Sequence, residues 1–175
     1  MAGLERLTLD KLIAMGAECH SMPTPSDSIY RTGSALEFIR AKLSERITAD
    51  KSIEDGQALA GDLRIAIDEI IQNAIGHGND LDPNKKVHSY FLWQEHPAGY
   101  ALMYVAIRDE GPGFDVDRPI ARNLHWGNEG LAWAKEEMDL VYNFKDSCVY
   151  MVKLIRMVHV PSEMTAGTAH THGHV

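Results

Sequence analysis

The chain has 175 residues, with 17 Lys and Arg residues against 25 Asp and Glu residues, which leaves a formal net charge of -8. That length predicts one domain, and 45% hydrophobic with 24% charged residues is typical of a folded globular protein. The acidic balance argues against a direct nucleic-acid partner, because phosphate is bound mainly by Lys and Arg. The two cysteines, Cys19 and Cys148, form neither a disulfide framework nor a zinc cluster and fit a reducing compartment.

The N-terminal residues give no sign of a targeting or membrane segment. Residues 1–6 lack the basic region and the unbroken apolar stretch of a signal peptide. No run of about 18 apolar residues is present to span a bilayer. We therefore expect a cytoplasmic protein without a membrane partner.

The first half of the chain reads as helices separated by loops. Spaced apolar residues predict a helix over 4–15, and Pro and Ser predict a loop over 20–28. An amphipathic helix is predicted over 34–47, followed by a polar connection over 50–56. The strongest helix is predicted over 63–75, where apolar residues recur at helical spacing: Leu63, Ala66, Ile67, Ile70, Ile71 and Ala74.

The second half is richer in strands. It predicts a hairpin of strands over 87–94 and 100–108, an irregular segment over 109–128, a helix over 129–137 and a strand pair over 139–144 and 148–158. Helices first and strands later indicate an α+β fold, a two-layer sandwich with a mostly antiparallel sheet and helices on one face.

The organisation along the chain predicts three parts. These are an N-terminal helical extension (1–20), one main domain (21–160) and a flexible tail (161–175). The tail carries alternating histidines at His170, His172 and His174. Without a Cys or acidic partner, such a terminus binds metal adventitiously, so we assign no physiological metal site there.

Residues 68–78 place a carboxylate and an amide on the strongest helix. Glu69 and Asn73 are about 40° apart around the helix axis, one turn above the other. Asn73 lies at the edge of the buried stripe, so the pair is able to meet one ligand, for instance a magnesium ion and an attacking hydroxyl. The alternative is a solvated helix face that ends in a glycine stop, and for this segment alone that alternative is favoured.

Two further segments carry unusual residues. Residues 109–114 (Asp-Glu-Gly-Pro-Gly-Phe) follow an apolar strand, where a carboxylate can accept from an exocyclic amine and glycines allow close backbone approach. The alternative is an ordinary turn. Residues 127–131 open a helix whose free N–H groups suit phosphate. The alternative is a loop-to-helix junction with Asn128 as N-cap.

Together, in this order, the three segments resemble the motifs of the histidine-kinase-like (GHKL) ATPase superfamily, which includes gyrases, sensor histidine kinases and mismatch-repair ATPases. Within it, the wordings Asn-Ala-x-x-His-Gly and Asp-Glu-Gly-x-Gly, and Met138-Asp139 after the third motif, are similar to the small anti-sigma-factor serine kinases. The resemblance covers roughly residues 22–158.

The resemblance implies the GHKL fold, with ATP and Mg²⁺ as cofactors. It implies that Glu69 orients or deprotonates the attacking hydroxyl and that Asn73 supplies a magnesium ligand. Asp109 would bind the adenine amine. The remaining site residues that it implies are Gly111 and Gly113 around the nucleotide, Gly127 and Gly130 in the lid, and Ser147 before the last strand.

The resemblance also implies an activity and partners. The chain would be an ATP-dependent serine/threonine kinase that phosphorylates a serine of an anti-sigma-factor antagonist, with a sigma factor as its other partner. The resemblance and the additional apolar helix over 4–15 also favour a homodimer. The family usually has glycine at the position of Asn128 and Gly-Thr at the positions of Asp146 and Ser147. These departures motivate the alternative of a nucleotide-gated binding module without kinase activity.

Overall fold

The computed structural model describes residues 4–113, 128–144 and 146–158. Its elements in chain order are α1 (Leu9–Ala14), β1 (Glu18–Pro23), α2 (Gly33–Leu43), α3 (Gly56–Asn73), β2 (Lys86–His96), β3 (Tyr100–Arg108), α4 (Asn128–Glu137), β4 (Leu140–Tyr142) and β5 (Cys148–Arg156). Residues 114–127, most of the predicted irregular segment, and the His-rich tail from 161 lie outside the described residues.

The five strands form one sheet in the order β1-β2-β3-β5-β4, and every neighbouring pair is antiparallel. The predicted hairpin is present as β2 and β3, with His88 opposite Arg108. The predicted last pair is present as β4 and β5. The α+β prediction with an antiparallel sheet is therefore confirmed.

The main hydrophobic core lies between one face of the sheet and helices α2, α3 and α4. The predicted stripe of α3 is buried, and Leu63, Ile67 and Ile71 are each 0% exposed. From the sheet it meets alternate strand residues, namely Met22, Val87, Phe91, Met103, Val105, Ile107, Val141, Val149, Met151 and Ile155. This period-two pattern is what a sheet face packed on helices requires.

The helices differ from prediction mainly at their ends. The predicted helix 34–47 is α2 extended by a π-helical turn, Ser44–Thr48. Helix α3 begins at Gly56, seven residues before the predicted start, because residues 56–62 contain two glycines and only one large apolar side chain, Leu59, and so show no apolar periodicity. After Asn73 the chain widens into a second π-helical turn, Ala74–Gly78, where a glycine stop was expected.

The prediction of a loop over 20–28 is wrong for its first four residues. They belong to β1, which pairs with β2 so that Ser21 lies opposite His88. Pro23 is tolerated because it is the last residue of a strand at the sheet edge. Strand β1 also crosses the boundary drawn between residues 20 and 21.

The N-terminal residues cover part of the sheet face opposite α2, α3 and α4. Helix α1 is shorter than the predicted 4–15, and Leu7 and Leu12 are buried against that face. The Tyr142 hydroxyl accepts from the Leu7 N–H at 2.7 Å and donates to the Leu7 carbonyl at 2.8 Å. The N-terminal segment is thus anchored to β4 through one buried hydroxyl.

Tyr142→Phe is expected to lower the free energy of unfolding by about 1–3 kcal/mol, because it leaves two buried backbone groups of Leu7 without a partner. Urea unfolding of both proteins measures this. Tyr30→Phe, at a ring that is 64% exposed, is the control and should change stability by less than about 0.5 kcal/mol. Equal small effects in both variants would contradict the anchoring role.

A membrane-spanning helix, a metal-binding cluster and a disulfide are all absent from the part of the chain that the structure describes. None of its helices has the length and apolar character needed to cross a membrane. No group of three or more His, Cys, Asp or Glu side chains among the described residues is placed to hold a metal ion. Cys19 is exposed, Cys148 is buried, and both are free thiols.

Candidate functional site

Helix α3 presents Glu69 and Asn73 on a half-buried side that meets the start of α4. Gly130 makes this approach possible. A Cβ at Gly130 would lie 2.8 Å from the Glu69 Cβ, 2.9 Å from its Oε2 and 3.3 Å from the Asn73 Nδ2. The structure therefore brings the first and third motifs together, with a glycine directly over the carboxylate and the amide.

Asp109 follows β3 and is a buried carboxylate, only 4% exposed. Its backbone N–H donates to the Ser147 carbonyl at 2.9 Å, and its Oδ1 accepts from the Gly111 N–H at 2.7 Å. Burial raises the pKa of the Asp109 carboxyl, and the Gly111 N–H acts in the opposite direction. A carboxylate held in this way offers its remaining acceptor capacity to a ligand.

Gly78 and Gly111 bring the first and second motifs into backbone contact around Asp109. A Cβ at Gly78 would overlap the Asp109 carboxylate. A Cβ at Gly111 would overlap the Gly78 carbonyl oxygen and lie 2.9 Å from the Asp109 Oδ1. No residue with a side chain fits at either position without displacing its neighbour.

Gly113 approaches the residues before β5. Its φ is +80°, and a Cβ there would lie 2.6 Å from the Asp146 carbonyl carbon and 3.0 Å from the Ser147 nitrogen. Glycine is required here both for its conformation and for its contact. Ser147 thus stands beside two predicted site residues, Asp109 and Gly113, and bonds to Asp109 through its backbone carbonyl.

The Asp146 side chain, one of the departures from the family pattern, has local partners. Its Oδ1 accepts from the Cys148 N–H at 3.3 Å, and its Oδ2 accepts from the Tyr150 hydroxyl at 3.3 Å. Cys148 and Tyr150 belong to the cluster on the sheet face opposite α2, α3 and α4. The carboxylate at this position is therefore engaged on the far side of the sheet from Glu69.

The predicted lid is described only from its helical end. Gly127 lies outside the described residues, and for Asn128 the structure gives the helix position alone. Their roles stay predictions. His77, the histidine of the first motif, is exposed in the π-helical turn after Asn73.

Asn79, directly after the first motif, was not singled out by the sequence. It is fully buried and bonds to Thr24 on one side and to Glu110 on the other. The sequence signal for this role is an asparagine directly after the His-Gly pair that ends the helix. The burial of Asn79 could not be predicted from it, because the partners Thr24 and Glu110 are distant in sequence.

A family model described as the histidine kinase-like ATPase domain matches residues 31–153, about 70% of the chain. The chain belongs to the histidine kinase-like ATPase family. A search of curated proteins finds no match. The matched range contains every predicted site residue, and membership of this ATPase family implies that the domain binds ATP.

Asp109 and Glu110 of this ATPase domain are expected to have opposite pH effects on stability. A raised carboxyl pKa favours the folded state only at low pH, and this contribution is lost as pH rises through the folded pKa. Asp109→Asn should therefore be more stable than wild type at pH 7, with a difference that shrinks as pH falls toward about 4.

The Lys86 N–H and His88 lower the pKa of Glu110, which reverses the sign. Its contribution is present above the ordinary carboxyl pKa and is lost as pH falls through the folded pKa. Glu110→Gln should therefore be less stable than wild type at neutral pH. Urea unfolding at several pH values measures both, and a shift of the same sign in the two variants would indicate only a general relief of the net charge of -8.

Proposed function

We propose that the chain is an ATP-dependent serine/threonine kinase that phosphorylates a serine of an anti-sigma-factor antagonist and binds a sigma factor as its second partner. One observation carries the proposal. Glu69 and Asn73 of the first motif lie against Gly130 of the third, while Gly78 at the end of the first lies against Asp109 of the second. The serine-kinase branch is supported by the wording of the first two motifs and by Met138-Asp139.

In this proposal Asp109 holds the adenine. Its carboxylate has one oxygen committed to the Gly111 N–H at 2.7 Å, and it accepts a hydrogen bond from the exocyclic amine of adenine. Gly78 and Gly111 let the two backbone segments close around this carboxylate. Burial makes this recognition selective, because a base without a donor at that position would leave the carboxylate unpaired.

Asn73 and Glu69 lie at the phosphate end of the site. Asn73 would supply an amide oxygen to Mg²⁺, an ion that takes a few protein oxygens and completes its shell with triphosphate and water, while Glu69 stays free to act on the attacking hydroxyl. Bound there, the ion would neutralise charge on the phosphates. The backbone donors at the start of α4 act in the same sense, against a net charge of -8.

Phosphoryl transfer then needs mainly positioning. Glu69 orients the serine hydroxyl and accepts its proton, the serine oxygen bonds to the γ-phosphorus, and the bond from the γ-phosphorus to the bridging oxygen breaks. ADP leaves with that oxygen. The products are phosphoserine, ADP and the proton taken up by Glu69, which passes to solvent, so atoms and charge are conserved without another reactant.

The partners in this proposal are proteins. Any effect on transcription follows from binding a sigma factor, in the cytoplasm and without contact to DNA. A homodimer would contain two such sites. Gel filtration with light scattering measures the oligomeric state independently of activity.

The deciding experiment is transfer of the γ-phosphate from radiolabelled ATP, with Mg²⁺, to the antagonist protein encoded beside the chain in its genome. We expect one phosphate on one serine, mapped by mass spectrometry, and none on the antagonist with that serine replaced by alanine. Firm ATP binding without transfer to any such neighbour would contradict the kinase proposal. It would match the alternative in which nucleotide only changes affinity for a partner.

A further inference from the structure

The Asn79 side chain is a buried polar group with several hydrogen bonds next to the site. It is 0% exposed. Its Nδ2 donates to the Thr24 Oγ1 at 2.8 Å and to the Lys86 carbonyl at 2.9 Å, and its Oδ1 accepts from the Glu110 N–H at 2.8 Å. Every side-chain donor and acceptor type of this amide is therefore used, which a buried amide requires.

These bonds join the two motifs that form the adenine end of the site. Asn79 directly follows Gly78, and Glu110 directly follows Asp109. The Asn79–Glu110 bond therefore joins the residues that directly follow Gly78 and Asp109, next to the contact between those two. In a low-dielectric interior such a network is rigid when it is fully satisfied.

The same backbone is held from a second direction through the Glu110 side chain. Its Oε2 accepts from the Lys86 N–H at 2.9 Å, and its Oε1 lies 3.4 Å from the His88 Nε2. His88 in turn contacts the Ser21 Oγ at 2.7 Å. Thr24, the partner of Asn79 on the β1 side, is buried at 2% exposure. The edge of the sheet thus supports the segment that carries Asp109.

We propose that Asn79 is a positioning residue that fixes where the Asp109 carboxylate stands and thereby sets the preference for adenine over guanine. The inference rests on the proposed function, in which Asp109 accepts from the adenine amine. Guanine carries an oxygen acceptor where adenine carries that amine. Discrimination between the two bases therefore depends on the placement of the carboxylate, and Asn79 fixes the segment that holds it.

The test compares Asn79→Ala with Thr24→Val by calorimetric titration of Mg-ATP and Mg-GTP. Asn79→Ala removes the bond to Glu110 and should lower ATP affinity about tenfold, with less than about a twofold change for GTP. Thr24→Val removes one partner of Nδ2 and leaves the Glu110 bond. It should lower the melting temperature while the ATP-to-GTP affinity ratio stays within about twofold of wild type.

An unchanged ratio in Asn79→Ala, or an equal fall of the ratio in both variants, would overturn the assignment. If Asn79→Ala does not fold, wild type carries the test by NMR. Saturating ATP, but not GTP, should shift the Glu110 backbone amide and the Asn79 side-chain amide, and no shift with ATP would overturn the inference. Wild type that binds no ATP would overturn the proposed function as well, whereas ATP binding with an unchanged ratio overturns the inference alone.

Discussion

Glu69→Gln is expected to reduce phosphoryl transfer by about 10²–10⁴-fold, which is the contribution of a positioned general base. ATP affinity should stay close to that of wild type, because the variant keeps the side-chain volume that packs under Gly130. The amide can no longer accept the proton of the attacking hydroxyl. Single-turnover transfer from radiolabelled ATP and calorimetric ATP binding separate the two quantities.

Asp68→Asn is the matched control, since it makes the same chemical change one residue earlier on α3. Asp68 Oδ2 accepts from the Gln72 Nε2 at 3.3 Å, four residues along the same helix. The described residues place no hydrogen-bond donor on its buried Oδ1. We expect transfer within about threefold of wild type for this variant. Comparable losses in both variants would show that charge on α3, and not the Glu69 carboxylate, supports the reaction.

Some features of the fold and of the site can be predicted from the sequence alone. The buried stripe from Leu63 to Ile71 and the β2–β3 hairpin follow from periodicity, because both elements bury one face. The pairing of Glu69 with Asn73 follows from helix geometry. Their relation to Asp109 and Gly130 came only from the family resemblance, since motifs far apart in sequence meet by tertiary packing.

Other features could not be predicted from the sequence, because they depend on tertiary packing. Pro23 and Pro25, as turn residues, predict a loop where strand β1 ends, although a strand at the sheet edge tolerates proline at its end. The apolar spacing in 4–15 predicts a helix but not which sheet face it covers. Asn79 reads as a polar residue in a turn, and only the tertiary structure shows that it is buried.

The proposed function gives the buried carboxylate of Asp109 a physical rationale. Burial raises the pKa of its carboxyl, so in the absence of ligand the charged form is held at a cost to stability near neutral pH. The same burial makes a hydrogen bond from a ligand amine count more than it would in water. The adenine end of the proposed site thus exchanges stability for selectivity.

Gly111→Ala is expected to lower the free energy of unfolding by about 1–3 kcal/mol through overpacking and to weaken ATP binding at least about tenfold. The added methyl would overlap the carbonyl oxygen of Gly78. A backbone oxygen cannot rotate away as a side chain can, so the first and second motifs must separate. Asp109 belongs to the second motif and moves with it, away from Gly78.

Gly61→Ala is the control for this substitution, because nothing lies within 4 Å of a Cβ at that position in the interior of α3. Alanine there should raise the free energy of unfolding by about 0.5–1 kcal/mol through helix propensity and leave ATP affinity unchanged. Urea unfolding and calorimetry on the two variants therefore have opposite expected signs. Stabilisation of both would contradict the close approach of Gly111 to Gly78, and destabilisation of Gly111→Ala with intact ATP binding would place the adenine elsewhere than at Asp109.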